Sequence, residues 1–435
     1  MPDPSLRFAL VILDGLGDRP HPDTNGLSPI VAASTPYLDG LAAKGAIGQV
    51  VLVGPGIAPE SDAGVLALLG YDPEHDSPGR GVLEALGVGI PLVPGDVALR
   101  SNFATASGDG KILDSRVGRS LGTSEAADLC RAINEADLLA DRHIHAELRP
   151  TIGHRGVLWL HSTDDQPLSA AVSNSDPFYE RTGGMGHARA VSEPVPLPIE
   201  PLASDPATLR TAQALNEWLG KVPGVLAGHM TNARRALRGK MIANLVLLRN
   251  AGSLPAVPPP LFAPKHGISG AAVTEMPVER GIARLLGLTD IYVGPMGPDR
   301  TAALQERARV ARQAMRDHPF VYIHLKGPDE PGHDGDARKK QAIVEDIDRS
   351  FFAPFVEGVD WSTTRIAVTA DHATPAILKR HSDDPVPLLL VGAGVSGSGG
   401  SPKFGAPPPN GPIGTVPGSR VLNLLWAGIP ATPPA

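Results

Sequence analysis

Cysteine is almost missing from this chain. Cys130 is the only one among 435 residues. No intramolecular disulfide is possible, and a cytoplasmic setting is the expectation. Aromatic residues are few, at 4%. No apolar run is long enough to span a bilayer, and the first residues carry no signal-peptide pattern, so no membrane partner is expected. A basic arm or stripe is also absent. The net charge is -7 with both signs interspersed, which argues against nucleic acid as a partner. What is abundant is core and loop. Hydrophobic residues make up 42%, and there are 49 Gly and 45 Pro. The length suggests two or more domains joined by many partly rigid loops.

Short apolar runs alternate with helical patterns, which predicts an α/β core with a mostly parallel sheet. Phe8–Leu13 reads as the first strand, followed by a helix near Thr35–Gly45 with Thr35 as N-cap and Pro36 at its first position. Gln49–Val53 is a strand, and Ser61 falls at a helix start. In the middle, Val97–Thr105, Lys111–Asp114, Gly156–His161 and Asn244–Arg249 read as strands, with helices over Ser124–Ala140 and Leu209–Leu219. Asn174–Pro206 is polar and proline-rich. This middle part, 111–249, is expected to form an inserted, smaller α/β domain, leaving 1–110 and 250–435 as the core. The C-terminal third predicts helices over Thr301–Asp317 and Asp336–Val356. It predicts strands ending at Leu325 and Ala370, and one over Val386–Val391. The Gly/Pro/Ser-rich tail Gly394–Gly418 reads as a loop.

Seven residues stand out against this pattern: Asp14, Ser61, Asp329, His333, Asp371, His372 and His381. Most follow closely on a predicted strand, where open α/β sheets bind ligands. Asp329 and His333 are spaced to share one ion, with His381 as a third ligand. Asp371-His372, Asp14 and the Ser61 hydroxyl suit a second. Mixed N/O ligation favours Mn²⁺ or Zn²⁺ over Mg²⁺. Two such ions can activate a serine and neutralise a phosphoryl group. Taken singly, each residue has a plainer reading. An Asp after a strand is usually a turn residue, and Ser61 alone is most simply an N-cap. The joint pattern carries the argument.

The motifs then resemble those of a known family. Ile12-Leu13-Asp14-Gly15-Leu16-Gly17-Asp18-Arg19-Pro20 opens the series. Asn25–Pro29, Ser61-Asp62-Ala63, Leu69–Pro73, Gly79-Arg80-Gly81, Glu84–Gly87 and Asn102–Thr105 follow in order. Gly153-His154-Arg155, Ser175-Asp176-Pro177, Gly332-His333-Asp334, Asp371–Pro375 and His381–Pro387 complete it. The chain resembles archaeal-type cofactor-independent phosphoglycerate mutases of the alkaline phosphatase superfamily. The resemblance implies an alkaline-phosphatase-like core with the inserted domain closing over its crevice. It implies a phosphoserine at Ser61, and two divalent ions, Mn²⁺ foremost. Asp14, Ser61, Asp371 and His372 would hold one ion, and Asp329, His333 and His381 the other. It further implies a small phosphorylated acid as substrate, with Ser61, Lys265 and Arg155 as catalytic residues. Arg116, Arg119, His154, Arg155, Asn174, Asp176, Arg234 and Arg235 would bind the substrate. Arg234 and Arg235 also read as an ordinary solvated helix face. The oligomeric state is left open.

The sequence departs from the family at Glu60, Gly64 and Pro328. Glu60 puts a carboxylate beside the serine. Two alternatives therefore stay open at this point. One is a related phosphatase or phosphotransferase acting on another phosphate or phosphonate acid. The other is a non-catalytic binding homologue, which the retention of all seven residues argues against.

Overall fold

The computed structural model describes residues 2–182, 185–188, 191, 194–397, 403–406 and 412–429. The chain divides into two compact units, Met1–Ser77 with Pro259–Ala435, and Pro78–Pro258. The division thus falls at 77/78 and 258/259 rather than at 110/111 and 249/250. Its physical reason is sheet pairing. Strand Val97–Ala106 pairs with Arg155–Ser162 and Leu245–Gly252. The unpredicted helix Arg80–Gly87 lies so close to that strand that a Cβ on Gly81 would come within 2.2 Å of Ala98 O.

Among the described residues, the first unit holds an eight-stranded sheet. Its order is Thr289–Tyr292, Gly270–Thr274, Phe320–Leu325, Arg7–Leu13, Thr364–Thr369, Val386–Gly392, Ala46–Val51 and Gly414–Pro417. Only Val386–Gly392 runs against its two neighbours. Phe8–Leu13 is wholly buried, as a central strand covered on both faces must be. Helices including Pro36–Lys44, Ser61–Leu68, Pro277–Leu286, Arg300–Asp317 and Ala337–Ile347 belong to this unit. The long helix expected over Asp336–Val356 is interrupted by a π-helical turn at Asp348–Phe352. There the Asp348 carboxylate accepts from the Leu38 and Tyr37 amides at the start of helix Pro36–Lys44. Parts of the Gly/Pro/Ser-rich tail lie outside the described residues. Gly414–Pro417 within it is a strand, not a loop.

Register decides where the chemistry sits. Ile12 is paired with His324 on one side and Thr369 on the other. Side chains alternate along a strand. Two residues on, Asp14, Lys326 and Asp371 continue the same face at the carboxyl ends of the three central strands.

The second unit is built on an antiparallel sheet, where a parallel one would need helical crossovers. Strands Ile112–Asp114, Val97–Ala106, Arg155–Ser162, Ile144–Pro150 and Leu245–Gly252 form it. Helices Thr123–Glu135 and Pro206–Ala227 bury Leu129, Cys130, Leu215 and Trp218 in its core. A hairpin of Tyr179–Thr182 and Met185–Ala188 lies in the polar, proline-rich stretch. No helix among the described residues is long and apolar enough to cross a membrane.

Candidate active site

Asp14 and Asp371 meet at the strand ends of the first unit. The Gly15 N–H donates to Asp371 Oδ1 at 3.0 Å, and Lys326 Nζ lies 3.3 Å from Asp14 Oδ2. Each carboxylate so has one oxygen tied to the protein. The other two oxygens, Asp14 Oδ1 and Asp371 Oδ2, are buried without a hydrogen-bond partner. Such orphans are costly and mark a place for a cation. The turn requires glycine at 15, with φ +62° and its Cβ position 2.7 Å from Asp329 Cβ. A side chain there would push Asp329 away.

Ser61 is the first residue of helix Ser61–Leu68, and Glu60 is the N-cap position. The hydroxyl is therefore not capping. Its Oγ lies 3.3 Å from His372 Nε2. Gly64 lets the helix come this close, since a Cβ there would lie 1.9 Å from Asp371 O. First-turn amides and the dipole favour an anion at this end.

Three histidines share one arrangement. His333 Nδ1 bonds Lys379 O at 3.2 Å and His381 Nδ1 bonds Pro59 O at 2.9 Å. Carbonyls only accept, so both Nδ1 atoms carry the proton. His372 Nδ1 is 2.9 Å from Thr374 Oγ1, whose one proton goes to Asp329 Oδ1 at 2.7 Å. Thr374 must then accept from His372. All three Nε2 atoms are left facing carboxylates. His372 Nε2 lies 3.4 Å from Asp14 Oδ1 and 3.6 Å from Asp371 Oδ2. From Asp329 Oδ1, His333 and His381 are 3.4 and 3.5 Å away. Charge-assisted hydrogen bonds are shorter, about 2.7–2.9 Å. Donors about 2.1 Å from a common ion in a tetrahedral array are about 3.4 Å apart. The residues therefore fit divalent ions. The His372 and His381 rings stack at 3.8 Å, so the two donor groups adjoin.

Without an ion, the carboxylates of this site attract protons in the place of a cation. Burial opposes charge on Asp14, but Lys326, His324 and His372 hold it well below the ordinary carboxylate range. Burial pushes Asp371 up. On His381, burial is outweighed by Asp329 and Glu60, and the imidazole is raised to about 9. Glu60 Oε1 is 3.9 Å from His381 Nδ1, which gives that departure a place beside the serine.

Sequence reasoning missed His324, Lys326, Glu279 and Thr374. His324 fell inside the predicted strand ending at Leu325 and Lys326 in the turn after it, although a histidine inside an apolar strand, two residues before a lysine, is a visible signal. Lys326 Nζ bridges Asp14 and Glu279 Oε1, the latter at 2.9 Å. Lys265 is not brought to this group. It is exposed, with its ammonium over the Tyr71 ring at 4.5 Å, beyond the far end of helix Ser61–Leu68.

The second unit gathers arginines. Arg80 and Arg100 lie 3.3 and 2.8 Å from Glu84 Oε1. Burial opposes the charge on Glu84, and Arg100, Arg80, Arg155 and Arg249 more than offset it. Arg249 pairs with buried Asp176 at 2.6 Å and stacks on Tyr179. Asn174 accepts from the Asn250 amide and donates to Tyr179 O. His154 is pushed down to about 3 by burial and by Arg155, Arg116, Arg249 and Arg119. Arg116 and Arg119 are exposed at the two ends of a short 3-10 turn, Val117–Arg119. Arg234 is exposed too, but Arg235 is buried, its guanidinium occupied by Met241 O, Ser120 and Glu125. Arg80 stands in one of the family-like motifs without a role assigned to it, and the sequence did not point to Arg100 or Arg249.

Comparison with known proteins gives this geometry a family. The sequence pattern described as 2,3-bisphosphoglycerate-independent phosphoglycerate mutase matches residues 42–232. An Aeropyrum pernix protein of that name is 44% identical over 396 residues, covering 90% of this chain and 92% of the relative. The chain belongs to this family. A second phosphoglycerate mutase relative, from Methanopyrus kandleri, is 38% identical over 88% of this chain and 87% of its own. A solved Thermoplasma acidophilum structure named as a cofactor-independent phosphoglycerate mutase superposes with TM-score 0.62 at 30% identity, covering 97% and 98% of the two chains. A Pyrococcus horikoshii structure reaches 0.77 at 29%, covering 97% and 96%. Family membership does not favour the phosphatase alternative.

Proposed function

We propose that the protein interconverts 3-phosphoglycerate and 2-phosphoglycerate, with Ser61 carrying the phosphoryl group between the two hydroxyls. The observation that carries this is the Ser61 hydroxyl, 7% exposed at a helix start and 3.3 Å from His372 Nε2. In the forward step a bond forms from Ser61 Oγ to phosphorus as the bond to the substrate oxygen breaks. The glycerate then takes the group back on its other hydroxyl, so serine leaves as it entered. Asp14, Ser61, Asp371 and His372 would hold one divalent ion, and Asp329, His333 and His381 a second. The resemblance puts Mn²⁺ first, and Zn²⁺ also suits this mix of nitrogen and oxygen donors. Bound there, the ions supply activation of the serine and neutralisation of phosphoryl charge.

The substrate brings a phosphate and a carboxylate. Planar guanidinium groups match both bidentately. Arg80, Arg100, Arg155 and Arg249 fit that task, with Arg116 and Arg119 beside the neutral His154. Asp176 and Asn174 set the Arg249 segment. Lys326 is the ammonium held within the serine site, whereas Lys265 rests its case on resemblance. A single cysteine fits a cytoplasmic setting. Phosphorus NMR of the Mn²⁺-loaded protein with 3-phosphoglycerate tests the reading. Formation of 2-phosphoglycerate, lost in Ser61→Ala, supports it. Release of free phosphate without 2-phosphoglycerate would make the enzyme a hydrolase.

A further inference from the structure

We propose that His324 is an additional ligand to the ion held by Asp14 and Asp371. The inference rests on the metal-dependent reading above and extends its donor set. His324 is 1% exposed on a central strand, and its Nε2 is buried without a hydrogen-bond partner. That atom lies 3.7 Å from Asp14 Oδ1 and 3.5 Å from Asp371 Oδ2, the same two oxygens that lack partners. Three unpartnered donor atoms, from three adjacent strand ends, thus face one point.

His324 is placed like the other three histidines, although the partner of its Nδ1 is a hydroxyl, which can donate as well as accept. Its Nδ1 is engaged, 2.6 Å from the Tyr322 hydroxyl, and its Nε2 is turned to carboxylates. Ligating histidines are commonly fixed in this way through the second nitrogen. The plainer reading is an imidazolium sitting between two carboxylates. An imidazolium so placed would draw in to about 2.8 Å. The observed separations are those of neighbouring donors around an ion. Charge compensation is meanwhile provided elsewhere, because Lys326 takes the other oxygen of Asp14. Glu279 anchors that lysine, and its Oε2 accepts from the Glu275 and Met276 amides.

The test is Mn²⁺ binding to the metal-stripped full chain by calorimetry, with echo-modulation EPR to count coordinated imidazoles. Wild type should bind two ions. His324→Gln should weaken one site by about 100-fold, keep the other within about threefold, and lose one nitrogen coupling. Tyr322→Phe removes only the hydroxyl and should weaken the same site by about 10-fold. It carries the test if the glutamine variant does not fold. Unchanged affinities and imidazole count in either folded variant would overturn the proposal while leaving the two-ion reading intact. A wild-type chain that binds no Mn²⁺ would overturn both.

Discussion

Asp176→Ala removes one of two acidic partners from the arginine cluster of the second unit. The pair with Arg249 is 2.6 Å long, and its side chains are 1% and 6% exposed. Removing one member leaves a buried guanidinium uncompensated, which costs about 3–5 kcal/mol. Four arginines, Arg80, Arg100, Arg155 and Arg249, would then face Glu84 alone. For a unit of this size 1 kcal/mol moves the melting temperature by about 2–4 °C, so a fall of about 6–20 °C is expected. The loss should be non-additive. Arg249→Met alone strands Asp176, but the double variant strands neither charge, so a coupling energy of about 2 kcal/mol is predicted. Calorimetric melting of the two single variants and the double variant, at one pH, measures it. Inorganic phosphate should restore part of the loss in Arg249→Met less than in Asp176→Ala, because only the latter keeps the full set of cations. Strict additivity, or a fall below about 3 °C for Asp176→Ala, would refute the argument that this pair organises the cluster.

Further outcomes follow from the same geometry. Gly64→Ala places a Cβ 1.9 Å from Asp371 O, so the serine helix must back away by more than an ångström. Turnover should fall about 100-fold and stability by about 1–3 kcal/mol, read by kcat and urea unfolding. The His154 imidazole is lowered to about 3 from 6.5. A depressed histidine lends its full stability above the unfolded value and loses it as pH falls. Between pH 6.5 and 5 the wild type should therefore lose about 2 kcal/mol that His154→Gln does not. Urea midpoints at the two pH values check this. Mn²⁺ at 100 times its dissociation constant should stabilise the chelator-stripped protein by about 2.7 kcal/mol per site, measured as a melting shift.

Much of the first unit was legible because its strands are continuous apolar runs that end in the residues of interest. Asp14, Asp371 and Asp329 could be placed from that punctuation alone. His324 could not be singled out without register, since only pairing of Ile12 with His324 and Thr369 shows that it shares a face with Asp14 and Asp371. The arginine cluster was hidden for the same reason. Arg100 and Arg249 are direct cross-strand partners, a repulsive arrangement that only the folded pairing reveals and that Glu84 offsets. Helix Arg80–Gly87, which brings Glu84, was not foreseen, and with it went the unit boundary. Gly64 read as a departure in sequence, and its reason is steric contact with Asp371.

The central claim is that Ser61 takes the phosphoryl group. Rapid acid quenching of the Mn²⁺-loaded enzyme during turnover of 3-phosphoglycerate, followed by peptide mass spectrometry, tests it most directly. The account predicts a phosphoryl adduct on Ser61 in the wild type, with neither adduct nor turnover in Ser61→Ala. Formation of 2-phosphoglycerate by Ser61→Ala would contradict it.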